Sequence, residues 1–315
     1  MLVLSLAAIS CSSDHPSYLR VAANTWIGYT PLYLADDMRL FEPDLIHLVE
    51  MSSASEVIHA FRSGAIEVAA LTLDEAMTVL EDDFDIQVIL VLDISNGSDV
   101  LLAKPDIPSI AALKGKTIAV EYSAVGALVL DSALKKAGLT PADITIRSCT
   151  LDDHAACYQQ TDALVTFDPM KTHLLEQGAK ILFSSAQMPN LIVDVLVTHR
   201  QVIKEQPQQL QQLINHYFAA RTKMTEAPEE SWQTLERLLK IPTRQLHQAS
   251  LGITWADLAL NQHFLASAGG IHTTLAELKH TMLTRKLLKR PLNTDAFIND
   301  QFVKQYANQQ HGAKQ

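Results

Sequence analysis

The sequence predicts an α/β fold in two lobes, followed by a helical C-terminal segment. Three observations carry this. Between Tyr18 and about Thr198, short β-branched runs alternate with stretches of helical spacing, as a mostly parallel sheet with crossover helices requires. After His199 only helix-like stretches remain. Two turn-rich segments, DISNGSD over 93–99 and QMPNLIVD over 187–194, lie between apolar runs where a chain could leave one lobe and later return.

The strand-like runs, in order, are 19–23, 45–51, 67–72, 86–93, 100–103, 117–121, 144–148, 163–167, 179–183 and 192–198. Each is short, rich in Val, Ile and Leu, and bounded by turn residues. Between them, 31–40, 55–62, 73–80, 125–137, 154–160 and 169–177 repeat apolar residues at helical spacing. The C-terminal helices are expected at 201–224, 228–239, 243–250, 255–267, 273–289 and 294–306. Pro228, Pro242, Gly252, the Gly269-Gly270 pair and Pro291 supply the breaks, by a lost backbone donor or by conformational freedom. The division expected is 18–97 plus 195–315 as one lobe with the C-terminal helices, and 98–194 as the other.

Composition bounds the function. Twenty-five Lys and Arg against thirty-five Asp and Glu give a net charge of −10, which repels a phosphate backbone and argues against nucleic acid. Hydrophobic residues at 48% are too many for a disordered chain, and no unbroken apolar run reaches the 18 or so residues of a membrane span. Residues 1–9, MLVLSLAAI, stop at Ser10-Cys11 and give way to Ser12-Ser13-Asp14. Small residues at Ala8 and Ser10 before Cys11 are the pattern of a bacterial lipoprotein signal over 1–11, with Cys11 lipidated after cleavage. The competing reading is an N-terminal buried strand, since no Lys or Arg precedes Cys11. A lipidated Cys11 would tether a periplasmic domain to a membrane face.

Four motifs fall in a familiar order. They are Trp26-Ile27-Gly28-Tyr29-Thr30-Pro31-Leu32-Tyr33-Leu34-Ala35 with Leu40-Phe41, then Arg62-Ser63-Gly64-Ala65-Ile66-Glu67, then Leu113-Lys114-Gly115-Lys116-Thr117 leading to Glu121, then Thr161-Asp162-Ala163 through Phe167-Asp168-Pro169. Together they resemble the nitrate/sulfonate/taurine and thiamine-precursor periplasmic substrate-binding proteins of ABC transporters, over about residues 18 to 225. The resemblance implies a type II periplasmic binding protein fold: two α/β lobes, two crossovers, a ligand between them and a helical C-terminal segment. Asp168 departs from the Glu that many relatives carry before the proline.

Loops at the carboxyl ends of strands would line such a cleft. Asn24, Trp26 and Tyr29 offer an amide and two aromatic planes able to hold a small flat ligand, although Trp26 could equally be core. Ser53 opens a helix, where free N–H groups can meet a polar ligand edge or simply cap the helix. Thr72 ends a strand. Glu121, Tyr122 and Ser123 form the loop best suited to a pocket, and Asp99, Asp168 and Asp194 add carboxylates near the crossovers. None of these loops contains Lys or Arg. The balance favours a ligand with an amine, amidine or ring-nitrogen donor over nitrate or sulfate, because a carboxylate stabilises a buried cation and repels an anion.

Catalytic signals are poor. Neither Gly-x-Ser-x-Gly nor His-Glu-x-x-His occurs, and Gly115-Lys116-Thr117 leads into a strand rather than the helix a P-loop needs. Cys149, Asp152, His154 and Cys157 form a compact cluster whose Cys-x4-His-x2-Cys spacing offers no obvious fourth metal ligand; a disulfide is the alternative, and two buried thiols are the default. The expectation is a monomeric, cofactor-free and metal-free binding protein for a small molecule, working with an ABC permease or, as the alternative, a membrane sensor. An enzyme such as a pyrimidine synthase is the lesser alternative.

Overall fold

Within the residues described by the computed structural model, 18–122 and 125–312, the apolar runs assemble into two sheets. The segment 1–11 with Cys11, and Ser123, lie outside the described residues. The first sheet has the order β11-β4-β10-β3-β1-β2, formed by β1 (Leu19–Asn24), β2 (Ile46–Met51), β3 (Val68–Thr72), β4 (Ile86–Ser95), β10 (Val193–His199) and β11 (Ile253–Trp255). The second has the order β7-β6-β8-β5-β9, from β5 (Val100–Ala103), β6 (Thr117–Val120), β7 (Thr145–Ser148), β8 (Ala163–Thr166) and β9 (Lys180–Ser184). All ten expected strands are present. β11 was not expected, being only three residues long beside Gly252.

Both sheets are mixed. β1 pairs in parallel with β2 and β3, and β6 with β7 and β8. The strands that follow each crossing, β5 and β10, run antiparallel to their neighbours because they enter from the other sheet. The two crossing segments are tied to each other: the Ser95 and Ser185 hydroxyls lie 2.8 Å apart, and Gly97 N donates to Ser185 Oγ at 2.6 Å.

The helices are α1 (Thr30–Asp37), α2 (Ala54–Arg62), α3 (Leu73–Glu81), α4 (Val125–Lys136), α5 (His154–Gln160) and α6 (Met170–Glu176), then α7 (Arg200–Glu205), α8 (Pro207–Glu226), α9 (Pro228–Leu239), α10 (Thr243–Ser250), α11 (Leu258–Leu265), α12 (Gly270–Thr284) and α13 (Gln301–Gly312). The single helix expected over 201–224 is two, because Pro207 starts a helix better than it continues one. The helix expected over 294–306 begins later, at Gln301. Residues before it form an isolated bridge from Ile298 to Val88.

Burial explains why β4 is the spine. All ten of its residues are buried, which suits a near-continuous apolar run covered on both faces. β11 pairs with only the last three of them, and C-terminal side chains complete the rest of that edge. Asn261 accepts from Val91 N at 2.8 Å and donates to Val91 O at 2.9 Å, while Tyr217 OH donates to Leu92 O at 2.8 Å. A covered edge cannot recruit another chain.

Cys149 and Cys157 are joined as a disulfide, with Cα atoms 6.6 Å apart, which corrects the expectation of two thiols. The turn after β7 brings Cys149 against α5, within the distance range a disulfide spans. The bond lies in a small separate core with Tyr158, Leu164 and Leu174.

Candidate functional site

The first sheet presents three side chains in a row at one edge. In the strand registers Asp194 of β10 lies opposite Thr72 of β3 on one side and opposite Asp93 of β4 on the other. Asn24 ends β1 at the same edge. The second sheet faces it with Glu121 after β6, Phe167 after β8, and Asp99 just before β5, whose Val100 pairs with Thr166.

A cavity of about 40 Å³ lies between them. From the first side Asn24, Trp26, Tyr29, Thr72, Glu75 and Asp194 line it; from the second, Asp99, Glu121, His154, Thr166 and Phe167 do. Pockets for small organic ligands start at roughly 300 Å³, so this is a closed cleft that must open to admit one.

The aromatic wall is anchored by the acids behind it. Trp26 Nε1 donates to both oxygens of Asp93, at 3.3 and 3.2 Å, and its ring meets Phe167 edge-on at 5.3 Å. Trp26 is thus buried and also lines the cavity. Tyr29 OH donates to Asp194 Oδ1 at 2.6 Å. Gly28 allows this close packing: a Cβ there would lie 2.0 Å from Asp93 Oδ2 and 2.3 Å from Trp26 Nε1.

Facing carboxylates in a water-poor edge cannot all ionise. Burial, with Asp99 nearby, pushes Asp93 up to about 8. Burial and then Asp93 raise Asp194 well above the usual carboxylate range, so this cross-strand pair retains a proton. Burial followed by Asp74 pushes Glu75 up to about 8, and burial first of all raises Asp74 and Asp99 to about 6. Burial also lowers His154 to about 4, leaving it neutral. Its Nδ1 lies 3.0 Å from Thr166 Oγ1, and its buried Nε2 and Asp99 Oδ2 have no hydrogen-bond partner within the described residues.

Seven of the residues singled out by sequence therefore meet at the cavity: Asn24, Trp26, Tyr29, Thr72, Asp99, Glu121 and Asp194. Three others are placed elsewhere. Ser53 caps α2, its side chain accepting from Glu56 N, and only its neighbour Ala54 lines the cavity. Tyr122 is 38% exposed and borders a separate surface groove with Arg62 and Lys289. Asp168 is fully buried and engaged within α6: it accepts from Thr172 N at 3.1 Å and Thr172 Oγ1 at 2.6 Å, and pairs with Lys171 at 2.6 Å. Asp168, expected to face a ligand, is thus engaged by partners one turn away and is not among the residues that line the cavity.

Sequence reasoning missed Glu75, His154 and Phe167 as lining residues. Thr72-x-x-Glu75 has capping-box spacing, a signal that could have located Glu75 at the start of α3. Within the described residues, no group of three or more His, Cys, Asp or Glu could hold a metal ion, and no helix is long and apolar enough to cross a membrane.

Comparison with solved structures places the fold. The alkanesulfonate-binding protein SsuA from Xanthomonas axonopodis pv. citri, bound to MOPS, is 19% identical, with a TM-score of 0.77 over 91% of this chain and 100% of that one. The periplasmic aliphatic sulphonate binding protein SsuA from Escherichia coli is 20% identical, with a TM-score of 0.73 over 91% and 93%. The desulfurization enzyme DszB is 14% identical, with a TM-score of 0.68 over 93% and 99%. At such identities the likeness is one of fold, and binding proteins share that fold with an enzyme. No curated protein sequence matches the chain. The family model described as NMT1/THI5 like matches residues 26–231, nearly two thirds of the chain, and runs from just after β1 into the first turn of α9, with most of the residues that line the cleft. The chain belongs to the NMT1/THI5-like family.

Proposed function

We propose that this protein is an extracytoplasmic solute-binding protein that closes two lobes around a small amine- or heterocycle-containing ligand and delivers it to an ABC importer. The lobes of the proposal are 18–97 with 195–315, and 98–194, hinged at the two crossing segments. Lipidation at Cys11 would hold the protein at the periplasmic face of a membrane.

One observation carries this reading: the inter-sheet cavity is lined by Glu75, Asp99, Glu121 and Asp194 together with Trp26, Tyr29 and Phe167, and by no Lys or Arg. A desolvated anion there would find no Lys or Arg to neutralise it and four carboxyl groups around it. A donor-rich cation or heterocycle would gain charge-assisted hydrogen bonds and an aromatic face. The sulfonates that the SsuA proteins bind do not suit this lining, so the proposal takes the lobed capture from the fold and the ligand class from the cavity.

The test is a thermal-shift panel on the protein lacking residues 1–11, against amines, amino acids, pyrimidines, sulfonates and nitrate. A ligand at a hundred times its Kd adds about 2.7 kcal/mol, enough to move the midpoint by several degrees. Stabilisation by an amine or pyrimidine is expected. Stabilisation by sulfonate or nitrate alone would overturn the ligand class.

A further inference from the structure

Two glutamates cross the cleft in opposite directions. Glu75, in the first turn of α3 beside the first sheet, accepts from Thr72 N through Oε2 at 2.9 Å and from Val125 N, the first residue of α4 beside the second sheet, through Oε1 at 3.0 Å. Glu121, after β6 of the second sheet, uses Oε1 to accept from Ser55 N at 3.2 Å and Ser55 Oγ at 2.5 Å, at the start of α2 beside the first sheet. Each side of the cleft thus supplies the carboxylate that fills a helix start on the other. Both side chains are buried, and Glu75, Glu121, Val125 and Ala54 all line the cavity.

Helix starts have unpaired N–H groups and a partial positive charge, and are where a protein without Lys or Arg could still bind an anion. Here α2 and α4 aim such starts into the cavity, and the chain's own carboxylates engage both. A free anion would have to displace a tethered group that competes at high effective concentration. Gly126 contributes to this closeness, since a Cβ there would lie 2.9 Å from Glu121 O and 2.8 Å from Val120 Cγ2.

We infer that Glu75 and Glu121 are specificity-determining residues, built-in acceptors whose carboxyl oxygens occupy the α4 and α2 starts, shut them to anionic ligands and bridge the two sides of the closed cleft. This rests on the reading of the cavity as the ligand site. The consequence is a selectivity that can be inverted: removing the two carboxyl groups frees the N–H donors of two helix starts that now point at them.

The experiment compares wild type with Glu75→Ala/Glu121→Ala by calorimetry, using methanesulfonate and sulfate as probes, alongside the amine and pyrimidine thermal-shift panel. The double variant is expected to bind methanesulfonate at least ten-fold more tightly than wild type. Glu121→Gln, whose amide oxygen can still accept from Ser55 N, is expected to gain less than Glu121→Ala. A folded double variant that gains no anion affinity overturns the inference. If that variant still responds to amines or pyrimidines, the ligand reading survives without it; if no protein responds to any probe, both fall. Should the double variant fail to fold, Glu121→Ala alone opens the α2 start and carries the same test.

Discussion

Replacing Asp93 by Asn should make the protein more stable at neutral pH and remove a large part of its pH dependence. Asp93 is fully buried opposite Asp194, and its carboxyl is pushed up to about 8 from the usual 3.8. Below the ordinary carboxylate range, folded and unfolded chains both hold the proton. Above it the unfolded chain releases the proton while the folded chain keeps it, so stability is greatest at low pH and falls as pH rises toward 8. One retained proton is worth about 1.4 kcal/mol per pH unit, or on the order of 3 kcal/mol between pH 5 and pH 7. Asn keeps an oxygen to accept from the Trp26 indole N–H, and it carries no ionisable proton. Asp194 also loses the facing carboxyl group that helps to raise it, which acts in the same direction. Urea unfolding of both proteins at pH 5, 6 and 7 should show their stability difference moving by about 3 kcal/mol in favour of Asn. Glu75 and Asp99 contribute to both proteins and cancel to first order in the difference. Parallel pH profiles would refute the buried, proton-sharing pair.

Further expectations concern single contacts. Trp26→Phe keeps the aromatic wall but removes the donor to Asp93, and should cost about 1–3 kcal/mol in urea unfolding. Asp168→Asn strips the buried Lys171 of its ion pair, so a loss of about 3 kcal/mol with unchanged ligand affinity is expected from paired unfolding and calorimetry. Cys157→Ser opens a short loop closed by a disulfide with a sequence separation of 8, and should lower unfolding free energy by about 2.5 kcal/mol with the cleft unaffected.

The strands and most helices were legible because their apolar spacing reports burial directly. Pro207 and the three residues of β11 escaped because a local break and a short edge pairing depend on what packs nearby. Cleft residues at strand ends, such as Asn24, Asp99, Glu121 and Asp194, were legible from topology, since a strand end faces where the loops gather. Asp168 shares that position, yet Lys171 and Thr172 one turn onward draw its carboxylate into α6. Glu75 reads as an ordinary cap until the second sheet brings Val125 N within 3.0 Å of it. His154 reads as one member of a Cys-rich cluster. Only the disulfide and the fold of α5 reveal that its ring lines the cavity.

The most direct measurement of the central claim is to purify the protein from its own source without denaturation, release any small molecule with acid, and identify it by mass spectrometry. The acidic, aromatic cleft predicts a low-mass compound bearing an amine, amidine or ring-nitrogen donor. A sulfonate, nitrate or phosphate compound recovered in stoichiometric amount would contradict it.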